Sequence, residues 1–230
     1  MAAYDLEEQE RIDALKDWWE KWGNWVIAGL VVFFGSIAGT QAWKSWQAKQ
    51  GEEAEVVFKG VTKTAQEVAA NKEYKKLADA AGAMAEKFPR SFQATEAQLM
   101  AAKAAFDAGD LAVASKHLQW VIDKGQEAFR SVARLRLAQV LLDEKKHDEA
   151  LKVVNAINEE GFAALAADLK GDILGAQGKA AEARAAYQLA VEKAGERSMS
   201  KALSQAKLDA LGGSKSVESK DAAENKDKKS

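Results

Sequence analysis

The sequence predicts an all-α protein in which one membrane-spanning helix is followed by a solenoid of antiparallel helix pairs. No charged residue lies between Lys21 and Lys44, so the chain contains a long apolar segment. The chain has one proline in 230 residues and is rich in Ala, Lys, Glu and Leu, which favour helix. A pattern of small residues recurs from about residue 91 onward, as it does in repeat proteins.

The apolar segment is long enough to cross a bilayer. Residues 25–43 are mainly Val, Ile, Ala, Gly, Leu and Phe, and as a helix they would span roughly 28 Å, close to the hydrocarbon thickness. Tryptophan prefers the headgroup region because its ring is apolar and its N–H needs a polar partner. The expected membrane-interface anchors flank this segment: Trp18, Trp19, Trp22, Trp25, Trp43 and Trp46.

A cleaved secretory signal is the alternative interpretation of such a segment. A signal has a basic start, an apolar core of about 7–15 residues and a small-residue cleavage site. Here acids outnumber bases before residue 22 and the apolar segment is longer, so we favour an uncleaved transmembrane anchor over residues 22–46. Its orientation stays open, because the basic residues on its two flanks are nearly balanced.

Two parts of the N-terminal region could contact a partner. Gly35 and Gly39 form a small-xxx-small pair, which lets another transmembrane helix pack closely, although glycine is also common in such helices. Residues 1–21 are predicted to form an amphipathic segment, whose apolar face would dock on a partner or lie on the headgroups; we favour the headgroups. That face is formed by Ile12, Leu15, Trp19 and Trp22.

Composition limits the possible functions. The net charge of −2 offers no electrostatic basis for binding nucleic acid, and the absence of cysteine excludes disulfides and thiolate metal sites. No phosphate-binding loop, nucleophile elbow or His-Glu-x-x-His motif occurs. His117 and His147 lack metal-ligand spacing and are predicted to lie at the surface or its boundary. The sequence therefore predicts neither an enzyme nor a cofactor site.

Three segments of the chain align with one another: residues 97–121, 133–157 and 166–190. In each, a small residue is followed twelve positions later by an alanine, with a turn between them. The three pairs are Ala102 with Ala114, Ala138 with Ala150, and Gly171 with Ala183. Small residues let two antiparallel helices approach closely, and each pair leaves an apolar face that the next pair covers. This spacing resembles the tetratricopeptide repeat (TPR).

Further helices are predicted on both sides of the repeats. Residues 46–69 and 73–88 would form an incomplete pair that ends at Pro89, and residues 198–211 would form a capping helix. The TPR-like domain is therefore predicted over residues 47–212. Residues 213–230 are rich in lysine, acids and serine, so a disordered charged tail is predicted there.

The order of these features resembles the YfgM-type ancillary subunit of the Sec translocon. The resemblance rests on an acidic start, the ALKDWW segment, one anchor and TPR-like pairs. Its strongest stretches are RLRLAQV at residues 134–140 and EGFAALAADLKGD at residues 160–172, and residues 181–187 and 207–208 also fit. It extends over nearly the whole chain up to Gly213.

This resemblance implies a single-pass protein of the bacterial inner membrane, with residues 1–21 in the cytoplasm and the TPR-like domain in the periplasm. It implies a non-enzymatic interaction module that is accessory to the Sec translocon and links export to periplasmic chaperones. The implied partners are the translocon channel, a membrane-anchored periplasmic chaperone of the parvulin type and nascent secreted chains. The alternative functions are a membrane-tethered TPR adaptor for envelope assembly or cell division, and direct holdase activity.

TPR geometry places the first helix of each pair along an inner groove. Some TPR domains clamp a peptide carboxylate with lysine and asparagine at such positions. Here the corresponding pairs are Leu99/Lys103, Leu135/Gln139 and Asp168/Asp172, so that clamp is absent. The groove is instead predicted to be part apolar and part acidic, which suits an extended segment or a partner protein. For each leucine, a role in the core is the favoured alternative. The predicted groove residues are Leu99, Lys103, Phe106, Leu135, Gln139, Leu142, Asp168 and Asp172.

Overall fold

The computed structural model describes residues 2–71, 73–196 and 198–212 and confirms the all-α fold class. The predicted tail at residues 213–230 lies outside the described residues. Short 3-10 turns at Glu127–Phe129 and Glu160–Phe162 precede the fifth and seventh helices. The described helices are α1 (Ala2–Asn71), α2 (Tyr74–Lys87), α3 (Phe92–Asp107), α4 (Leu111–Lys124), α5 (Arg130–Asp143), α6 (His147–Asn155), α7 (Ala163–Ala176), α8 (Ala180–Lys193) and α9 (Met199–Ala210).

The chain divides into two units at the junction between Glu53 and Ala54. The first unit contains the apolar segment, which is long and apolar enough to cross a membrane and has none of its most hydrophobic window buried. A core helix of a soluble protein would bury these side chains, whereas Val32 is 70% exposed. The structure therefore presents the apolar segment as a candidate membrane span.

In the second unit, three antiparallel pairs follow one another: α3 with α4, α5 with α6, and α7 with α8. The small residues of the repeat lie at the helix crossings and are buried, as their spacing predicts. The contact is closest at Gly171, where an added Cβ would lie 2.6 Å from Cδ1 of Tyr187. Only glycine leaves room for this ring between α7 and α8.

The turns within the three pairs share one backbone geometry. Gly109, Lys145 and Gly178 each have a left-handed φ, of 81°, 60° and 76°. The amide after each of them donates back to a carbonyl five residues earlier, which ends the first helix in a Schellman motif. The second pair thus places a lysine where the other two have glycine.

We expect Lys145→Gly to stabilise the protein by about 0.5–1 kcal/mol. Glycine relieves the left-handed strain that a side chain imposes, although it also loses more backbone entropy on folding. Urea unfolding of the full-length protein in detergent micelles measures the change. Lys145→Ala keeps the Cβ and should show no comparable gain; equal gains in both variants would contradict the argument.

Helices at both ends of the repeats complete the second unit. Val61 of α1 and Leu77 and Met84 of α2 are buried in one cluster with alanines of α3, so an incomplete pair covers the first repeat. At the other end, Leu208 and Leu211 pack against a cluster of α7 and α8. Each repeat therefore has an apolar neighbour, which a solenoid requires for stability.

Candidate functional site

The main candidate site is a groove over α3, α5 and α7, the first helices of the three pairs. We call it the first-helix groove. Its volume is about 470 Å³, and its floor includes Leu118, Val140 and Leu169. Partly exposed apolar side chains, among them Phe106, Leu135 and Leu165, line it together with charged and amide groups. A groove with an apolar floor and polar edges can hold an extended peptide or a side of a partner protein.

Six of the eight residues predicted for the groove line it: Lys103, Phe106, Leu135, Gln139, Asp168 and Asp172. The other two, Leu99 and Leu142, pack in or against the core formed by α3 to α7. Helical spacing alone does not distinguish groove residues from core residues on these helices. The residues next to the groove on each helix are buried by the neighbouring helix pairs.

The groove lining also contains residues that the sequence pattern did not select, among them Asp107, Arg136 and Leu165. Arg136 lies three residues before Gln139, and Leu165 lies three residues before Asp168. Asp107 lies four residues after Lys103. Spacings of three and four place these residues on the same helix face as a predicted one, so the spacing could have identified them.

The acidic character predicted for the groove is offset by a lysine from α9. The Nζ of Lys207 lies 2.8 Å from Oδ2 of Asp168 and 2.7 Å from Oδ1 of Asp172. Asp168 also accepts a hydrogen bond from Ser204 at 2.7 Å, and Asp172 accepts one from Tyr187 at 2.8 Å. These two carboxylates therefore join the last helix pair to the capping helix.

The pKa values of this cluster reflect the same contacts. Burial by itself would lower the pKa of Lys207, but hydrogen bonds and the charges of Asp168 and Asp172 outweigh burial and raise it. Burial, together with the hydrogen bond to Asp172, raises the pKa of the Tyr187 hydroxyl. Both groups therefore keep their protons at neutral pH, and Lys207 stays cationic.

We expect Lys207→Met to destabilise the protein by about 1–2 kcal/mol, because it leaves two partly buried carboxylates without their shared cation. Urea unfolding of the full-length protein in micelles measures the loss, and hydrogen exchange should show it first in α9. Asp172→Asn in the Lys207→Met background should recover part of the stability. No recovery would show that the lysine acts through packing alone.

A buried polar chain links α2, α3 and α4. Gln98 donates from Nε2 to the carbonyl of Ala81 at 2.9 Å, which leaves its Oε1 to accept from Nδ1 of His117 at 2.5 Å. His117 is only 7% exposed, so its prediction as a surface or boundary residue is wrong. The hydrogen bond from His117 to Gln98 on α3 makes the burial of His117 possible. The sequence of α4 alone does not show this partner.

His117 should make the stability depend on pH. Burial, aided by the charge of Lys116, lowers the pKa of His117 in the fold, while Asp79 acts against this. A lowered pKa favours the neutral ring in the folded protein. The stability that neutral His117 contributes is therefore complete above its unfolded pKa near 6.5, and it is lost as the pH falls through its folded pKa. We expect the free energy of unfolding to fall between pH 7 and pH 5, and to fall less steeply in His117→Gln. An equal pH slope in the parent protein and in His117→Gln would contradict the role of this histidine.

The first unit presents an aromatic and apolar surface along α1. All six predicted interface tryptophans are exposed, and Trp43 and Trp46 lie with their ring centroids 5.3 Å apart. Cβ atoms added at Gly35 and Gly39 would meet nothing within 4 Å. Ser36 and Thr40 donate their hydroxyls to carbonyls of Phe33 and Ile37, so these polar groups are satisfied within the helix.

Within residues 2–71, 73–196 and 198–212, no group of three or more His, Cys, Asp and Glu is placed to hold a metal ion. The carboxylates of the groove are in contact with lysine instead: Asp107 with Lys103, and Asp168 and Asp172 with Lys207. The geometry of the groove therefore suits recognition of a polypeptide by shape, apolar contact and charge.

Comparisons with known proteins agree with this geometry. A family described as a tetratricopeptide repeat-like domain matches residues 16–213. The chain is 35% identical over 212 residues to a protein of Neisseria gonorrhoeae named ancillary SecYEG translocon subunit, covering 92% of this chain and 100% of that protein. Proteins of the same name from Escherichia coli and Haemophilus influenzae are 30% and 29% identical, over 80% and 82% of this chain and 87% and 90% of their own lengths.

These comparisons confirm the resemblance that the order of sequence features indicates. The repeat-like domain accounts for the helix pairs, and the alignment to the Neisseria protein spans that relative from end to end. The matched domain spans residues 16–213, which include the apolar segment and the helix pairs of this chain. The protein belongs to the family of ancillary SecYEG translocon subunits.

Proposed function

We propose that this protein is a non-enzymatic interaction module of the bacterial inner membrane that acts as an accessory to the Sec translocon. The observation that carries the proposal is its similarity to ancillary SecYEG translocon subunits over 80–92% of its length. An apolar helix fit to cross a membrane and a groove fit to hold a polypeptide support it. In this proposal the N-terminus is cytoplasmic and the TPR-like domain is periplasmic.

Two surfaces carry out this function in the proposal. The face of α1 around Gly35 and Gly39 packs against a transmembrane helix of the channel, since no side chain of the described structure fills the space beside either glycine. The first-helix groove binds the partner on the periplasmic side, a membrane-anchored chaperone of the parvulin type or a nascent secreted chain. Its floor of Leu118, Val140 and Leu169 is apolar, and its six predicted residues supply further apolar contacts and polar edges.

The proposed mechanism is tethering. Anchoring the groove in the membrane restricts the search for a partner to two dimensions and raises the partner's effective concentration near the channel. The anchor contact and the groove contact then act together, so each can be weak by itself. No bond-making step is required of the protein, and none of the groove residues needs a catalytic role.

Site-specific photo-crosslinking in cells tests the two surfaces separately. The photoreactive residue is placed at Ala38, which is exposed beside Gly39, or at Gln139, which is exposed in the groove. We expect channel subunits as adducts at Ala38, and a periplasmic chaperone or secreted chains as adducts at Gln139. Lys116, which is exposed outside the groove, is the control position. Cell-division or envelope-assembly proteins as adducts at both sites would contradict the proposal.

A further inference from the structure

We propose that the first-helix groove selects an extended apolar segment that carries an acidic side chain near its centre, and that Arg136 recognises this side chain. This inference rests on the proposed function, in which the groove binds a polypeptide. It adds the chemistry of the segment, which neither the family similarity nor the TPR-like fold specifies.

Most charged groups that line the groove are already paired. Lys103 lies 2.5 Å from Oδ2 of Asp107 on the same face of α3. Asp168 and Asp172 share Lys207 of α9. These three carboxylates and two lysines leave a net charge of −1 near the groove, but each already has an oppositely charged neighbour, so a ligand charge would have to compete with that neighbour.

Arg136 has no oppositely charged neighbour among the described residues. It lines the groove, it is exposed, and within the described ranges it makes neither a hydrogen bond nor an ion pair. Its guanidinium offers five N–H donors in a planar fork that matches a carboxylate. Among the described residues, Arg136 is thus the charged group of the groove that lacks a partner, and its complement in a ligand is an anion.

The carboxylate that Arg136 binds lies within the bound segment and not at its C-terminus. Arg136 lies on α5, the middle of the three groove helices, between the paired charges of α3 and those of α7. A chain that contacts Phe106 and Leu165 extends past Arg136 in both directions. A terminal carboxylate would fill only half of this groove, so the complement is an Asp or Glu side chain.

Gln139 can bind the main chain of the segment. Gln139, three residues after Arg136, also lines the groove and makes no hydrogen bond to another described residue. Its amide can donate to and accept from the backbone of an extended peptide, whatever that peptide's sequence. Apolar contacts and this amide provide tolerance of sequence, whereas Arg136 provides the selection for an acid.

Peptide binding to the full-length protein in lipid nanodiscs tests the inference. The probes are fluorescein-labelled nine-residue peptides of alternating Leu and Thr with blocked ends, whose central residue is Asp, Asn or Lys. At low ionic strength we expect the Asp peptide to bind about three- to tenfold more tightly than its Asn twin, and the Lys peptide to bind most weakly. Fluorescence anisotropy gives the three dissociation constants.

Variants show whether Arg136 causes the preference. Arg136→Gln should abolish the preference for the Asp peptide over the Asn peptide, and Arg136→Glu should shift the preference to the Lys peptide. Lys116→Gln removes the same charge outside the groove and should keep the Asp preference. A structural role for Arg136 would weaken all three peptides together and would not invert their order.

The remaining outcomes overturn the inference in distinguishable ways. Equal affinity for the three peptides, or an Asp preference that survives Arg136→Gln, overturns the role of Arg136 and leaves the groove as a binding site. Tighter binding of an Asn peptide with a free C-terminus than of the blocked Asp peptide overturns the internal position of the acid. Failure of every peptide to bind overturns both the inference and the proposed use of the groove.

Discussion

Lysine in place of both Val32 and Phe33 is expected to release the protein from the membrane. Both residues lie near the middle of the apolar segment and are exposed on α1. A lysine at the centre of a membrane helix costs about 2.5–3.5 kcal/mol, and the apolar residue that it replaces loses a favourable contribution of about 0.3–0.6 kcal/mol. The double variant therefore loses about 6–8 kcal/mol of insertion free energy, which is enough to reverse the distribution between membrane and water.

Carbonate extraction of membranes measures this effect as the fraction of protein that stays in the pellet. The matched control adds the same two charges at Gln47 and Gln50, beyond the tryptophans that end the apolar segment. The control should remain in the membrane pellet with the parent protein. If the Val32 and Phe33 variant also stays there, the apolar segment is not what holds the chain in the membrane.

Gly171→Ala is expected to destabilise the helix pairs by about 1–3 kcal/mol. The new Cβ would lie 2.6 Å from Cδ1 of Tyr187, at a crossing where both residues are buried. Overpacking of this kind forces a ring or a backbone to move, and its cost outweighs the gain of up to about 1 kcal/mol that alanine brings to a helix. Urea unfolding of the full-length protein in micelles, followed by circular dichroism, gives the difference.

The same helix provides the control for this prediction. Gly175 lies one turn later in α7, and a Cβ added there meets nothing within 4 Å. Gly175→Ala should therefore stabilise the protein by about 0.5–1 kcal/mol through helix propensity alone. Equal effects of the two substitutions would show that the close approach of Tyr187 does not limit the size of residue 171.

The crossing at Gly171 also bears on the groove. Tyr187, which occupies the space beside Gly171, donates its hydroxyl to Asp172 at 2.8 Å, and Asp172 lines the groove. If the new methyl group displaces the ring, the Tyr187 hydroxyl moves relative to Asp172 and their hydrogen bond changes. We therefore expect Gly171→Ala to alter the α7 end of the groove as well as the stability, because one side chain serves both.

Much of the fold follows from local pattern. The apolar segment, the small residues at Ala102, Ala138 and Gly171 and the turns between paired helices occur where their spacing predicts them. Such features depend on residues close together in the chain, since helix period, helix ends and turn conformation are local properties. Six of eight predicted groove residues line the groove for the same reason, because a stripe at helical spacing specifies one face.

The tertiary structure decided which side chains have partners. His117 is buried because Gln98, nineteen residues earlier, reaches it from another helix. Asp168 and Asp172 look like free acids in the sequence, yet Lys207 of the capping helix, 39 and 35 residues further on, is bound to both. Spacing within one helix carries no information about such partners.

By itself, then, the sequence determined the class of the fold, the apolar segment, the family and most of the helix face that forms the groove. Only the tertiary structure decided the charge of that groove, by pairing its carboxylates with lysines and leaving Arg136 unpaired among the described residues. The physical reason is that secondary structure depends on neighbours along the chain. Electrostatic pairing depends instead on distances of a few ångströms between helices far apart in sequence.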